Sequence, residues 1–308
     1  MDEKQTDRSQ PGAAERQDDP LHPPFEILTP ALHRAPIVFN SPHSGRHYPE
    51  TFLKRSHLDP LTIRRSEDMM VDELFRPVVG RGAPLLRAIY PRAYLDVNRE
   101  PFELDPKMFS GQLPPFANSQ SLRVAGGLGT IPKVVCDTAT IYPAPWPVDH
   151  ALQRIDTIYR PYHDALRRLL AETHVAFGSA ILIDCHSMPS TLRSGERRLR
   201  PDFVLGDRFA TSCMPALVEQ AAAVLRSVGY TVCRNKPYAG GFITEHYGRP
   251  RRGLHALQIE VNRALYMDEE KLELHSGFAI LQKNLAHLAG TMIDLAAEFA
   301  SDMREAAE

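Results

Sequence analysis

The sequence lacks any long apolar run, because no stretch reaches the roughly 18 residues that a membrane-spanning helix needs. Its polar N-terminal segment also lacks the apolar stretch of a secretory signal peptide. The four cysteines are scattered and form no Cys-x-x-Cys pair, which argues against a disulfide framework. We therefore expect a chain that does not associate with membranes and that is located in the cytoplasm.

An excess of one charge is also missing, since 36 basic residues face 38 acidic residues and the formal net charge is −2. This balance excludes the broad basic surface that is typical of nucleic-acid-binding proteins. Two short basic clusters, at 197–200 and 249–252, are interpreted as solvated loop charge. We expect no nucleic-acid partner, and nothing in the sequence specifies an oligomeric state.

What is present is an alternation of short apolar runs and helical periods, after a polar segment at 1–22 that is interpreted as a disordered tail. Apolar residues make up 43% of the chain, enough for a substantial core, and we predict one domain over 23–308. The alternation predicts an α/β sandwich around a mixed or mostly parallel sheet. The predicted strands are 36–40, 83–90, 180–183, 230–233 and 256–261, and the predicted helices are about 66–80, 152–169, 208–228 and 268–299.

The segment at about 100–147 departs from this alternation, because it holds many proline and glycine residues and shows little periodicity. A long irregular insertion in a compact domain is usually functional or disordered. We predict that it forms a lid or a wall of a binding pocket.

Four polar clusters lie at or near the ends of predicted strands, where ligands bind in α/β sheets. Two of them contain His43 and His186, and neutral imidazole is the commonest nitrogen ligand of zinc. The ordinary alternative for each is a hydrogen-bonded, partly buried histidine. Asp184 is predicted either to orient the imidazole of His186 or to cap the following turn. The four clusters are 41–45, 96–99, 184–187 and 260–263.

A catalytic zinc site needs a third protein ligand, and the candidates are Glu67 and Asp68 at the start of a predicted helix. Acids also favour helix N-termini without any metal, so both interpretations stay open. Arg99 suits a substrate carboxylate, although a structural pair with Asp96 would also explain it. Glu260, a charged residue in an apolar strand, is predicted to be either a general base with a raised pKa or the partner of an arginine.

These clusters, in this order, resemble the N-formylglutamate amidohydrolase family over nearly all of residues 35–290. The ordered set is more specific than any single motif. The matching segments are IVFNSPHSGRHYP at 37–49, DMMVDELF at 68–75, YPRAYLDVNREP at 90–101, GLGTIPKV at 127–134, ILIDCHSMPS at 181–190, PDFVLGD at 201–207, YAGGFITEHYGRP at 238–250 and LHALQIEVNRALYMDE at 254–269.

The resemblance implies a three-layer α/β/α sandwich of the phosphorylase/hydrolase-like kind, similar to zinc carboxypeptidases and aspartoacylase-type deacylases. It implies His43 and His186 as Zn²⁺ ligands. The carboxypeptidase group takes its third ligand from a Glu three residues after the first histidine, where this chain has Arg46. Asp68 matches a family motif position and is the substitute ligand. Other divalent ions also suit histidine and carboxylate ligands.

The resemblance also implies catalytic residues Arg99 and Glu260 and substrate-binding residues Asn98, Arg99, Gly241, Thr244 and Glu245. Asn98 and Arg99 resemble the carboxylate-binding pair of the deacylases, and Glu260 resembles their general base. Glu245 is a departure, because family members tied to histidine breakdown tend to have an arginine there.

The implied reaction is zinc-dependent hydrolysis of the amide bond of a small N-acyl amino acid. N-formyl-L-glutamate, giving formate and L-glutamate, is the first candidate substrate. The alternatives are a deacylase or peptidase for another N-acyl amino acid or short peptide, and a non-catalytic amino-acid-binding module. Metal content and turnover distinguish the enzymes from the binding module.

Overall fold

The computed structural model describes residues 22–135, 139–191 and 201–305, with side chains described up to Ala300. The predicted tail, apart from His22, and the basic cluster at 197–200 lie outside the described residues. None of the described helices is long and apolar enough to cross a bilayer.

A seven-stranded sheet forms the centre of the fold, with strand order β1-β3-β2-β8-β11-β9-β10. Four of its neighbouring pairs are parallel, and the pairs β1–β3 and β11–β9 are antiparallel. This mixed, mostly parallel arrangement agrees with the predicted α/β sandwich. The strands of the sheet are β1 (Phe25–Leu28), β2 (Ile37–Ser41), β3 (Leu85–Ala88), β8 (Ala180–Met188), β9 (Phe203–Gly206), β10 (Val232–Arg234) and β11 (Leu254–Asn262).

Helices cover both faces of this sheet. The nine α-helices of the described ranges are α1 (Glu50–Arg55), α2 (Val71–Phe75), α3 (Pro77–Gly80), α4 (Leu122–Ala125), α5 (Val148–Arg154), α6 (Arg160–Phe177), α7 (Pro215–Ser227), α8 (Phe242–Tyr247) and α9 (Gly277–Glu305). The remaining short strands in those ranges pair outside the sheet and are β4 (Phe109–Ser110), β5 (Val134–Val135), β6 (Ala139–Thr140), β7 (Trp146–Pro147), β12 (Met267–Asp268) and β13 (Glu273–Leu274).

Two apolar cores lie on opposite faces of the sheet, as the two-residue period of a strand requires. Ile181 and Ile183 of β8 pack in a core with side chains of α2, α7 and α9. Ala180 and Leu182 pack in the second core, with α6 and with apolar side chains of the 100–147 segment such as Trp146.

Three predicted helices differ from the structure, because one is divided into two short helices and the other two begin later than predicted. The helix at 66–80 is two short helices, α2 and α3, because Met70 adopts a left-handed backbone (φ 58°) before α2 and Pro77 cannot donate to continue it. The helix at 208–228 begins only at Pro215, after three residues with positive φ. The helix at 268–299 begins at Gly277, because β12 and β13 precede it.

The helix predicted over 152–169 is longer than expected and contains a π-helical turn at Ile155–Tyr159. Pro161 follows this turn directly, and its missing N–H is consistent with a local change of the hydrogen-bond pattern.

Candidate metal and substrate site

A cavity of about 1010 Å³ lies beyond the carboxyl ends of β2, β8 and β11. All four predicted polar clusters contribute residues to its wall, among them His43, Asn98, His186 and Glu260. The 100–147 segment contributes Arg123, Leu128, Pro132 and Val134 to the same wall.

The strand register brings the polar residues of β8 and β11 together. His186 pairs with Glu260 across the two parallel strands, and Asp184 pairs with Gln258 one step earlier. Asn40 of β2 pairs with Asp184 from the other side. Paired residues of parallel strands point to the same face, and of these residues His186, Gln258 and Glu260 line the cavity while Asn40 and Asp184 are buried on the same face.

The loop after β2 connects this face to Asp68. The backbone N–H of Asp68 donates to the carbonyl oxygen of His43 at 3.0 Å, which holds the two loops together. Gly45 is required here because a Cβ atom at this position would lie 2.1 Å from the carbonyl oxygen of Tyr90. Asp68 lies in the turn at 66–70, before α2, whereas the sequence predicted that a helix already begins at about residue 66.

Three side-chain donors converge in the cavity, and they belong to His43, Asp68 and His186. Their donor atoms all lie within 4.8 Å of one another. Asp68 Oδ2 lies 3.3 Å from His43 Nδ1 and 2.9 Å from His186 Nδ1. Glu67 is directed elsewhere, because its carboxylate accepts hydrogen bonds from Tyr48 and Arg64.

The opposite nitrogen of each imidazole faces another carboxylate. His43 Nε2 lies 2.7 Å from Asp96 Oδ1, and His186 Nε2 lies 3.1 Å from Asp184 Oδ2. Such a carboxylate fixes the tautomer and ring orientation of a metal-ligating histidine, and the hydrogen bond between His43 Nε2 and Asp96 leaves Nδ1 of His43 as the nitrogen that can bind a metal. His43 Nδ1 is buried and has no hydrogen-bond partner within the described ranges, which fits a donor directed at a cation.

Asp68 is held ionised in this site. Burial alone would raise its pKa, but the close contacts of its carboxylate with His186 and His43 and the charges of these two rings outweigh burial and keep the pKa well below its usual value. Its other oxygen, Oδ1, accepts from the guanidinium of Arg263 at 3.1 Å. One oxygen is thereby positioned by the protein and the other faces the histidines, as a monodentate metal ligand requires.

Glu260 differs from Asp68 in its electrostatics, although both are buried. Burial raises the pKa of Glu260 to about 7, and the negative charge of Asp68 adds to the rise while His186 opposes it. Gln258 Nε2 donates to Glu260 Oε1 at 2.9 Å and fixes the carboxyl group. A carboxyl group with a pKa near 7 can both accept and return a proton near neutral pH.

Asn98 and Arg99 form the wall beside the histidines. Asn98 Oδ1 accepts from the N–H of Ile243 at 2.7 Å, which turns Asn98 Nδ2 toward His186 Nε2, 3.2 Å away. Arg99 is positioned by hydrogen bonds to the carbonyl oxygens of Leu128 and Asn98. Its NH2 group lies 3.7 Å from Asp96 Oδ2, so the predicted pair with Asp96 is present but long.

Of the other predicted substrate-binding residues, Gly241 lines the cavity. A Cβ atom on Gly241 would lie 2.5 Å from Asn98 Nδ2, so glycine is needed for Asn98 to reach its place. Thr244 is completely buried and is not part of the described cavity wall. Glu245 is also outside that wall, with a half-exposed side chain that pairs with Arg208 at 2.7 Å.

Sequence reasoning missed the residues that hold the site together. Asp96 was considered only as a partner of Arg99, although it contacts His43 and accepts from Arg92 at 2.8 Å. Arg263, three residues after Glu260, was given no role of its own, although its guanidinium donates to Asp68. The missed residue Gln258 was detectable, because it precedes Glu260 by two residues on the same face of a strand.

Comparisons with known proteins identify the family of this chain. The family model described as N-formylglutamate amidohydrolase matches residues 35–267. The chain is similar to proteins named N-formylglutamate deformylase, with 28% identity in Pseudomonas aeruginosa (80% of this chain, 87% of the relative) and 28% in Pseudomonas putida (77% and 83%). It is similar to the crystal structure of an N-formylglutamate amidohydrolase from Ralstonia eutropha, with 36% identity, a TM-score of 0.85 and coverage of 90% of this chain and 99% of that chain. The chain therefore belongs to the N-formylglutamate amidohydrolase family.

Proposed function

We propose that this protein is a metal-dependent amidohydrolase that converts N-formyl-L-glutamate to formate and L-glutamate. The observation that carries the proposal is the convergence of His43 Nδ1, His186 Nδ1 and Asp68 Oδ2 beside the raised-pKa carboxyl of Glu260. The names of the relatives support the substrate, since they are N-formylglutamate deformylases and an N-formylglutamate amidohydrolase.

The three donors fit a divalent cation, and two imidazoles with one carboxylate are a donor set that zinc uses in hydrolases. Such an ion, when bound, polarises a carbonyl group and lowers the pKa of a water molecule to about 7. Zn²⁺ is our first candidate, although the same donors also suit other first-row divalent ions.

Glu260 is the proposed general base. It accepts a proton from the attacking water and delivers that proton to the leaving amine nitrogen, so the two proton transfers balance. Gln258 positions this carboxyl group through the hydrogen bond to Oε1, which leaves Oε2 as the atom that moves the proton.

Arg99 and Asn98 are the proposed anchors of the substrate α-carboxylate. The guanidinium of Arg99 stays protonated at neutral pH even though burial lowers its pKa to about 10. Its backbone-bound Nε and NH1 groups fix its plane, so the NH2 group of Arg99 and the amide of Asn98 can bind a carboxylate without reorganising.

The decisive experiment combines metal analysis of the purified protein with an activity screen over N-formyl and N-acetyl amino acids. We expect about one divalent ion per chain and highest kcat/KM on N-formyl-L-glutamate. Turnover of an N-acetyl amino acid or a short peptide in preference to formyl substrates would support the deacylase alternative. Absence of turnover with any of them would support a binding module.

A further inference from the structure

We propose that Arg208 is the specificity-determining residue for the side-chain carboxylate of the substrate, with Glu245 as the exchangeable partner that positions its guanidinium. This inference rests on the proposed function for the identity of the substrate. It concerns the end of the cavity wall near Gly240 and Gly241, where Arg208 follows β9.

The first observation is how differently the arginines of the cavity are paired. Arg92 and Arg263 face acids that are almost completely buried, Asp96 and Asp68. Arg208 faces Glu245, whose side chain is 58% exposed. An ion pair with so exposed a carboxylate contributes little to stability, because water competes for both charges. A substrate carboxylate can therefore replace Glu245, whereas it cannot replace a buried acid without leaving that acid unpaired.

The second observation is the backbone that carries Arg208. Arg208, Phe209 and Ala210 have φ values of 53°, 57° and 66°, which is the left-handed region that non-glycine residues rarely adopt. Three consecutive residues in this region are unfavourable, and backbone strain of this kind concentrates at functional sites. The turn is held by the N–H of Arg208, which donates to Ala239 at 2.7 Å, and by Thr211, which donates to the carbonyl oxygen of Arg208.

The third observation is that the guanidinium is already oriented. NH2 contacts Glu245 Oε2 at 2.7 Å, and NH1 lies 3.4 Å from the carbonyl oxygen of Gly240. The arginine side chain keeps 31% of its surface exposed, so a ligand has access to it. Gly240 leaves room for this arrangement, since a Cβ atom there would lie 3.1 Å from Arg208 Cδ.

These observations give Glu245 a role that its charge alone would not suggest. A carboxylate that lined the cavity would repel an acidic substrate, but Glu245 lies outside the described wall, so a substrate carboxylate that enters the cavity can take its place on Arg208. The acidic residue in place of a basic one is therefore compatible with an acidic substrate, because Arg208 supplies the positive charge.

The test measures discrimination between an acidic side chain and its neutral isostere. Binding of L-glutamate and L-glutamine to the full-length protein is measured by calorimetry, and kcat/KM is measured with N-formyl-L-glutamate and N-formyl-L-glutamine. We expect the wild-type protein to favour the acid at least tenfold in both assays. Arg208→Gln should reduce this preference by about 10- to 50-fold, the range for a partly exposed charge-assisted hydrogen bond.

Three matched variants decide between explanations. Arg208→Lys keeps the charge without the planar fork and should retain part of the preference. Glu245→Gln should raise the preference about two- to fivefold, because it removes the competing carboxylate. Arg123→Gln removes another cavity arginine, from α4, and should leave the preference within about twofold of wild type.

The proposal is overturned if the wild-type protein does not prefer the acid, if Arg208→Gln keeps the full preference, or if Arg123→Gln removes it instead. A folded Arg208→Lys protein keeps the test valid should Arg208→Gln fail to fold. A protein that binds L-glutamate through Arg208 but hydrolyses no formyl substrate would contradict the proposed function and support this inference. An active deformylase whose preference for the acid does not depend on Arg208 would support the proposed function and contradict this inference.

Discussion

The two faces of β8 and β11 carry opposite chemistry within the same stretch of chain. One face presents Asp184, His186, Gln258 and Glu260, each held by at least one polar contact, and the last three line the cavity. Toward the other side Ile183, Cys185, Leu257, Ile259 and Val261 lie inside one core. The comparison teaches that a single pair of strands supplies both the rigidity and the chemistry, since core residues alternate with residues of the site over 183–186 and 257–261.

The largest expected effect comes from removing a metal ligand on the cavity face. His186→Ala should abolish metal retention and reduce turnover to background, because two remaining protein donors rarely hold zinc. His43→Ala should do the same, and Asp68→Ala should weaken metal binding strongly. Metal content per chain and kcat are the measurements.

Cys185→Ala is the matched control on the opposite face of the same strand. The thiol is completely buried, and burial raises its pKa well above the usual value, so it is a neutral core group. We expect about 1 kcal/mol of destabilisation from the small cavity, with metal content unchanged. Loss of metal in Cys185→Ala, or full occupancy in Asp68→Ala, would contradict this division between the faces.

The second effect concerns the base on β11. Glu260→Gln keeps the shape of the side chain and should lower kcat by about 10²–10⁴ while metal stays bound. Ile259→Val, one residue earlier and in the core, should lower stability by about 1 kcal/mol and leave kcat nearly unchanged. An active Glu260→Gln enzyme would leave Glu260 as a structural partner of Gln258.

The pH profile sharpens the same assignment. Glu260 must be ionised to accept a proton, so kcat of the wild-type protein should fall as the pH drops through its pKa. Burial raises that pKa to about 7, and a bound cation nearby would lower it from this value. The acidic limb should therefore lie at or below about pH 7, and the residual activity of Glu260→Gln should lack it.

The third effect concerns Arg99, which lies on a loop of the cavity wall, whereas Glu260 lies on a strand. Arg99→Lys retains the charge but loses the fork that two backbone carbonyls hold in plane. We expect kcat/KM on acids to fall by about ten- to 150-fold, a loss of roughly 1.5–3 kcal/mol, and to fall much less on the matching α-amides. Equal losses on both would make Arg99 a residue that only stabilises the loop.

Five of the seven strands of the sheet could be predicted from the sequence because they depend on local patterns, whereas β1 and β9 were not predicted. Residues 180–183 are apolar and are followed by Asp184 and His186. This change from apolar to polar residues predicts both a buried strand and a polar end. The turn at 66–70 could not be predicted, because a left-handed Met70 and the contact between Asp68 and His43 depend on tertiary packing. A periodic pattern therefore predicted one long helix where the chain makes a turn that contains the proposed metal ligand Asp68.

The hydrogen-bond partners of the site residues also divide into those that a local pattern relates and those that only the fold brings together. Gln258 lies two residues from Glu260 on one strand, so the strand period already relates them. Arg263 and Asp68 are 195 positions apart, and no periodicity connects them. Asp96 and His43 are likewise joined only by the fold.

The smallest expected effect tests whether the buried hydrogen-bonded residues behind Asp184 influence metal binding. Asn40 Nδ2 donates to Asp184 Oδ1 at 2.8 Å, and the hydroxyl of Tyr162 donates to Asn40 Oδ1. This buried chain holds Asp184, which in turn faces His186 Nε2, so Tyr162 is three polar contacts away from that proposed ligand. Partners of a metal-ligating histidine typically change metal affinity by 10- to 100-fold, and the effect should diminish with each further bond.

Tyr162→Phe should therefore weaken metal affinity by about two- to fivefold and reduce the free energy of unfolding by about 1 kcal/mol, since Asn40 loses one buried donor. Metal affinity by competition with a chelator and unfolding in urea give the two values. Phe25→Leu is the control, because Phe25 packs edge-on against the Tyr162 ring and does not take part in the hydrogen bonds. A loss of stability with unchanged metal affinity in Tyr162→Phe, matching Phe25→Leu, would show that the polar face ends at Asp184 and that Tyr162 acts only through packing.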